Sequence, residues 1–263
     1  GERAFCKEDV AHRVAEGTVN EDLLSVAQRI TSDSPDALAF CCYIWNITAT
    51  RRLIQLAKER LPKAVIIIGG PEVAFRPESA MADIPLADYL ISGEGELPFA
   101  QLLDSLVRGE KGEGIPGVCR RKNGKIVIAQ PFFLPGDPPS PYTDEYFAAL
   151  KGRIAYLEAS RGCPYSCAFC LSGRCGGVRY FDMDRAKHEI LLLANSGTKT
   201  VKFVDRTFNA NRARAKELIR FILAHYGREI PQGVCFHFEM AGDILDDETI
   251  ELLNSAPLGA MQA

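Results

Sequence analysis

The stretch Arg153-Ile-Ala-Tyr-Leu-Glu158-Ala-Ser-Arg-Gly-Cys163-Pro-Tyr-Ser-Cys167-Ala-Phe-Cys170 decides how the rest of the chain is read. A short strand-like run, Arg153 to Glu158, leads into three cysteines separated by three and then two residues. Three thiolates on one compact loop suit three irons of a [4Fe-4S] cluster, and with no fourth ligand in this spacing one iron stays open to another molecule. A structural zinc loop is the alternative, but such sites usually take four ligands in paired arrangement, and no second Cys or His pair stands at that spacing. Cys175 is close enough to be weighed as a fourth ligand.

Downstream, helical and strand patterns alternate: helix Met183–Asn195, strand Thr200–Asp205, helix Arg212–Tyr226, strand Val234–Glu239 and helix Asp247–Asn254. That order predicts βα units on a parallel sheet. In Val234-Cys-Phe-His-Phe-Glu239, period-two alternation puts Cys235, His237 and Glu239 on one face and Val234, Phe236 and Phe238 on the other. A carboxylate at the carboxyl end of such a strand stands where βα barrels build active sites. His237 reads equally well as a partly buried histidine bonded to backbone. Asp205 ends the preceding strand beside Arg206, a pair that a salt bridge would also explain, and Asn209 is a candidate cap for the next helix.

Upstream, Val10–Val19 is a weak strand candidate, and Asn20 is a candidate cap for a helix bearing Leu23, Leu24, Ala27 and Ile30. Ala37–Ile44 and Ala64–Ile68 are apolar runs of strand length around the amphipathic segment Thr48–Leu61, and a short strand, Asp88–Ile91, precedes a helix over Leu97–Val107. Continuous apolar strands separated by helices predict a doubly wound α/β domain. Gly117–Arg121 and Lys125–Ala129 flank Asn123-Gly124, a hairpin signal. Pro131–Pro141 is too proline-rich for a helix or a central strand. The expected organisation is an α/β domain over 1–130, a linker over 131–149 and a second βα series over 150–263.

The chain has 263 residues, 47% hydrophobic and 25% charged, which excludes a disordered or collagen-like polymer. With 31 basic against 34 acidic residues, it has no general field that would draw it to nucleic acid or anionic lipid. No apolar run approaches a membrane span, and Gly1–Asp9 is too charged for a signal peptide. A cytoplasmic protein with reduced thiols is expected. Of nine cysteines, Cys41, Cys42, Cys119 and Cys235 are expected to be mostly small buried residues, and Cys6 is uninformative.

From Arg153 to about Leu253 the chain resembles the radical S-adenosylmethionine (SAM) enzymes, on the CxxxCxxC loop after a strand and the aromatic Phe169 before its last cysteine. The resemblance implies that Cys163, Cys167 and Cys170 ligate a [4Fe-4S] cluster, that SAM chelates its open iron, and that Phe169 lies near the adenine. One-electron cleavage of SAM would then give a 5'-deoxyadenosyl radical. Glu239 becomes a candidate for the SAM ribose or amino group. The Gly-Gly-Glu segment that the family often carries after its second strand is absent here, leaving Asp205 as the candidate acceptor. The residues after 150 are fewer than the roughly 250 of a full eight-unit barrel, so a partial TIM-like barrel of three or four βα units is expected.

The first domain resembles the cobalamin-binding, flavodoxin-like domain that precedes many radical SAM domains. Its marks are Tyr43 and Trp45 after one strand, Gly69-Gly70-Pro71-Glu72 after the next, and Gly93-Glu94-Gly95-Glu96 after a third. Glycines at the ends of parallel strands would let a large ligand approach the backbone. The Asp-x-His-x-x-Gly motif is missing, so cobalamin is expected without a protein histidine on cobalt. The first strand of the domain also has no counterpart before Val10, as in a fragment that starts at the second strand.

The resemblance implies a cobalamin-dependent radical SAM enzyme that uses an external one-electron donor of flavodoxin or ferredoxin type, with methyl transfer to an unactivated carbon as one reaction. A non-catalytic iron-sulfur and cobalamin-binding protein, or a non-methylating radical SAM enzyme with a degenerate cobalamin domain, are the alternatives. A methylthiotransferase is disfavoured, because the upstream cysteines lack the spacing of a second cluster site.

Overall fold

The computed structural model describes residues 10–18, 20–172 and 176–263. The chain divides into two compact units, 1–139 and 140–263. The boundary thus splits the stretch expected as linker: residues 131–139 belong to the first unit and 140–149 to the second.

Val10–Thr18 forms no strand; it is largely exposed and carries charged side chains, among them Arg13, which pairs with Asp33. Helix α1, Leu23–Thr31, is capped by Asp22 rather than Asn20, the Asp22 carboxylate accepting from the Ser25 N–H at 2.9 Å. Then follow β1 (Ala37–Cys41), α2 (Ile47–Arg60) and β2 (Val65–Gly69). Two short helices, α3 (Pro71–Ala74) and α4 (Pro77–Asp83), each open on a proline at a position where no intrahelical N–H bond is lost. β3 (Tyr89–Ile91), α5 (Glu96–Val107), β4 (Val118–Lys122) and β5 (Lys125–Val127) complete the unit.

The sheet runs β1-β2-β3-β4-β5, with β1, β2 and β3 parallel and the β4–β5 hairpin added antiparallel. Asn123 and Gly124 both have positive φ (51° and 75°), the geometry a two-residue hairpin turn requires. Alternation on β2 buries both faces. Ile66 and Ile68 pack with Ile54 of α2 and Met81 of α4, whereas Ile67 packs with Leu102 of α5. The result is an α/β layer structure whose carboxyl strand ends carry the loops of interest.

The second unit starts with α6 (Asp144–Leu150), capped by Thr143, whose hydroxyl accepts from the Tyr146 N–H. β6 (Ala155–Leu157), β7 (Ser160–Arg161), β8 (Arg179–Tyr180), α7 (Met183–Ala194), β9 (Thr200–Phe203), α8 (Arg212–His225), β10 (Cys235–His237), α9 (Asp247–Asn254) and β11 (Met261–Gln262) follow. A four-stranded sheet of order β11-β10-β9-β6 is parallel throughout, which fits a succession of βα units and a partial barrel. Phe203, Phe236 and Phe238 are fully buried beneath α7 and α8, with the Phe208 ring tilted against Phe238 at a centroid distance of 4.4 Å. Each such ring contributes roughly 1.5–3 kcal/mol by leaving water. Among the described residues no helix is long and apolar enough to cross a membrane.

Candidate functional site

The cysteine loop leaves the carboxyl end of β6 and is closed at its base. Ser160 and Arg161 of β7 pair antiparallel with Tyr180 and Arg179 of β8, forming a two-rung neck that brackets Cys163, Cys167 and Cys170 in the sequence. Gly162 stands at the top of that neck with φ +96°, and a Cβ there would lie 1.9 Å from the Gly177 carbonyl oxygen. Only glycine admits this approach. Within the loop the Cys170 N–H bonds the Cys167 carbonyl at 3.0 Å, which curls the last two cysteines together.

None of the three is in a disulfide; Cys163 and Cys170 are partly buried and Cys167 is exposed. Among the described residues no three His, Cys, Asp or Glu side chains gather closely enough for a single metal ion. A [4Fe-4S] cluster makes no such demand, because each thiolate binds a different iron, and three soft thiolates on one loop are the donor set it takes. Phe169 is 93% exposed beside them. Cys175, weighed as a fourth ligand, and Cys6 lie outside the described residues.

Asp205, a candidate SAM contact, is bonded within the chain. It is only 3% exposed, and its two carboxylate oxygens accept from the Ala159 N–H (2.8 Å) and the Ser160 hydroxyl (2.5 Å). Burial pushes its carboxyl up to about 6, against the lowering effect of these two donors. Asp205 therefore secures the neck of the cysteine loop. Arg206 beside it is exposed. Nor does Asn209 cap α8. Its side-chain amide bonds the Ala241 carbonyl and N–H at 2.8 and 2.9 Å, and Asn211 makes the cap instead.

The other candidate carboxylate is partly exposed. Glu239 follows β10 on the face opposite Phe236 and Phe238, and pairs with Lys202 of β9 at 3.1 Å. Register aligns Tyr156, Lys202, His237 and Gln262 across the four strands, so one sheet face presents a polar row while the other is buried under helices. Three further partners of the cysteine loop escaped the sequence reading. Ser160 anchors Asp205, the Thr207 hydroxyl lies 3.4 Å from Cys163 Sγ, and the Tyr165 hydroxyl donates to Asp243 at 2.8 Å. Each joins residues more than 40 positions apart, for which a single sequence offers no signal.

In the first unit, Tyr43 and Trp45 stack with centroids 4.5 Å apart, and Trp45 is 70% exposed on the loop after β1. Asn46 fixes that loop by accepting from the Tyr43 N–H and donating to the Cys41 carbonyl. The glycines correct the expectation that each makes room for a ligand. A Cβ on Gly70 would strike the Cys42 backbone at 2.7 Å, and one on Gly93 the Phe132 carbonyl at 2.1 Å, so neighbouring chain already fills both spaces. Gly69 and Gly95 have no neighbour closer than 3.7 Å. Pro71 starts α3, and Glu72 pairs with Arg76. Glu94 accepts from the Leu134 N–H at 3.0 Å, and Glu96 lies in the first turn of α5. Cys42 and Cys119 are buried, but Cys41, expected inside, is exposed.

Residues 4–103 match the family model of the B12 binding domain, and residues 157–262 match that of the radical SAM superfamily. The chain is a radical SAM protein with a B12-binding domain ahead of its radical SAM domain. It is similar to 2-(S-pantetheinyl)-carbapenam-3-carboxylate methyltransferase of Streptantibioticus cattleyicolor, at 36% identity over 66% of this chain and 28% of that protein. It is also similar to the cobalamin-dependent radical SAM methyltransferase TokK of Streptomyces tokunonensis, at 34% identity over the same shares. Among solved structures, it shares its fold with the radical SAM methyltransferase TsrM of Kitasatospora setae (TM-score 0.70, 19% identity, 89% of this chain and 49% of that one), solved with cobalamin and a [4Fe-4S] cluster and also with tryptophan substrate and a SAM analogue. The chain thus spans under a third of these two curated relatives and about half of that structure.

Proposed function

We propose that this radical SAM protein is a cobalamin-dependent enzyme that transfers a methyl group to an unactivated carbon of a small molecule. The observation that carries the reading is the cysteine loop itself, three cysteines outside any disulfide on one loop that a strand pair closes beyond the carboxyl end of a parallel strand. Cys163, Cys167 and Cys170 would hold the [4Fe-4S] cluster, and the loops bearing Tyr43, Trp45, Gly69 and Gly95 would hold cobalamin. When bound, these groups supply one-electron cleavage of SAM and a methyl carrier.

The chain's own residues bind and orient. The exposed Phe169 ring offers a stacking surface for the adenine, and Glu239, fixed by Lys202, offers a carboxylate to an ammonium or hydroxyl group of SAM. Asp205 serves by holding the neck. The Tyr43–Trp45 pair offers an apolar plane to a flat macrocycle. Cysteines outside disulfides and the need for a low-potential reductant fit a cytoplasmic setting with a flavodoxin- or ferredoxin-type electron donor.

The test is product analysis with methyl-labelled SAM after anaerobic reconstitution of the full-length enzyme with iron, sulfide and cobalamin. Label in the methylated product, with S-adenosylhomocysteine formed unlabelled, supports methyl transfer. 5'-Deoxyadenosine without methylated product points to another radical reaction, and SAM left intact contradicts the enzymatic reading.

A further inference from the structure

The residue after Arg206 has an unusual assignment for a hydroxyl. Thr207 is 5% exposed and opens the short 3-10 turn Phe208–Ala210, yet its side chain does not cap that turn. The hydroxyl instead lies 3.4 Å from Cys163 Sγ, within hydrogen-bond reach for sulfur. It is held there from both sides. Two residues earlier, Asp205 is bound to Ala159 and Ser160 at the base of the cysteine loop, and one residue later the Phe208 N–H bonds the Glu239 carbonyl at 2.8 Å. Thr207 is thereby clamped between two strand ends while its oxygen faces the first cysteine of the loop.

A thiol and a hydroxyl at this distance are interchangeable as donor and acceptor. A thiolate that ligates iron has no proton, so the direction is then fixed: the hydroxyl donates and the sulfur accepts. We propose that Thr207 is a positioning residue that donates its hydroxyl hydrogen to the Cys163 thiolate and so raises the reduction potential of the cluster that Cys163 holds. A hydrogen bond to a ligating sulfur draws electron density from it and favours the reduced, more negative cluster. The burial of Thr207 strengthens the effect, because little water competes for its hydroxyl. The inference rests on the reading of Cys163 as a cluster ligand.

The full-length protein and its Thr207→Val, Thr207→Ala and Thr207→Ser variants, reconstituted anaerobically, test it. Iron and sulfide content come first, then the midpoint potential by EPR-monitored titration, and then the coupling of exchangeable protons to the reduced cluster by ENDOR. The expected result is full iron loading throughout, a more negative potential with one exchangeable proton coupling lost in T207V and T207A, and both properties kept in T207S. Loaded T207V or T207A with the wild-type potential and proton coupling overturns the proposal and leaves the ligand reading intact. Failure of both donor-less variants to load while T207S loads also overturns it, in favour of a purely structural role. A wild-type chain that takes up no iron overturns the ligand reading itself.

Discussion

Asp205 and Ser160, 45 residues apart, are joined by a hydrogen bond of 2.5 Å between the Ser160 hydroxyl and a buried carboxylate that also accepts from the Ala159 N–H. This bond ties the end of β9 to the base of the cysteine loop. Replacing Asp205 with Ala leaves a buried hydroxyl and a buried N–H without partners, each costing about 1–3 kcal/mol. Chemical denaturation of D205A is expected to show a loss of about 2–4 kcal/mol; a loss under about 0.5 kcal/mol, the level of an ordinary surface substitution, would refute the latch.

The same carboxyl gives a pH signature. Its folded-state value is raised to about 6 from 3.8, so the native chain holds this proton more tightly than the unfolded chain does. Stability from this group is therefore greatest when it is protonated, falls as pH rises between those two values, and levels off above about 6. D205N keeps an acceptor for Ala159 and carries no charge. Wild type is expected to lose on the order of 2 kcal/mol relative to D205N between pH 4 and 6.5. Parallel denaturation curves across that range would show that Asp205 does not titrate there.

How much of this was legible beforehand depends on the range of the signal. The face alternation of Val234–Glu239 and the Asn123-Gly124 turn are local, and the structure reproduces both. Cys163, Cys167 and Cys170 stood out because all three lie on one loop. By contrast, the prolines that obscured α3 and α4 stand at helix starts, where they are tolerated, and β11 is two residues long, too short for any periodicity. The tie that Asp205 makes to the loop base was hidden because its partners lie 45 and 46 residues away. Gly93 looked like room for a ligand because Phe132, which fills that room, sits in a stretch that composition marks as linker.

Gly162 tests the neck directly. Any Cβ at this position meets the Gly177 carbonyl, and the backbone there has φ +96°. G162A should keep the wild-type far-ultraviolet circular dichroism yet bind less than half the iron on reconstitution, because the base of the loop has to part. Full iron uptake by G162A would show that the neck is not needed to present the cysteines.

Lys202 and Glu239 are partly exposed, so their ion pair contributes under about 1 kcal/mol to folding. E239A should therefore melt with the wild type while binding SAM at least tenfold more weakly, a difference of about 1.4 kcal/mol, by equilibrium titration of the reconstituted enzyme. Unchanged SAM affinity would remove Glu239 from the site.

Trp45 separates folding from ligand binding in the first unit. Because the ring is 70% exposed, W45A should change stability by no more than about 0.5 kcal/mol. Cobalamin affinity, followed by absorbance, should drop at least tenfold as the Tyr43–Trp45 plane is lost. Equal affinity in both proteins would place cobalamin away from this loop.

The central claim is that Cys163, Cys167 and Cys170 hold a [4Fe-4S] cluster, and the most direct measurement is iron and sulfide content after anaerobic reconstitution of wild type beside the C163A/C167A/C170A variant. The account predicts about four irons per chain and a broad charge-transfer absorbance in wild type, with both lost in the variant. Equal iron uptake by the two proteins would contradict it.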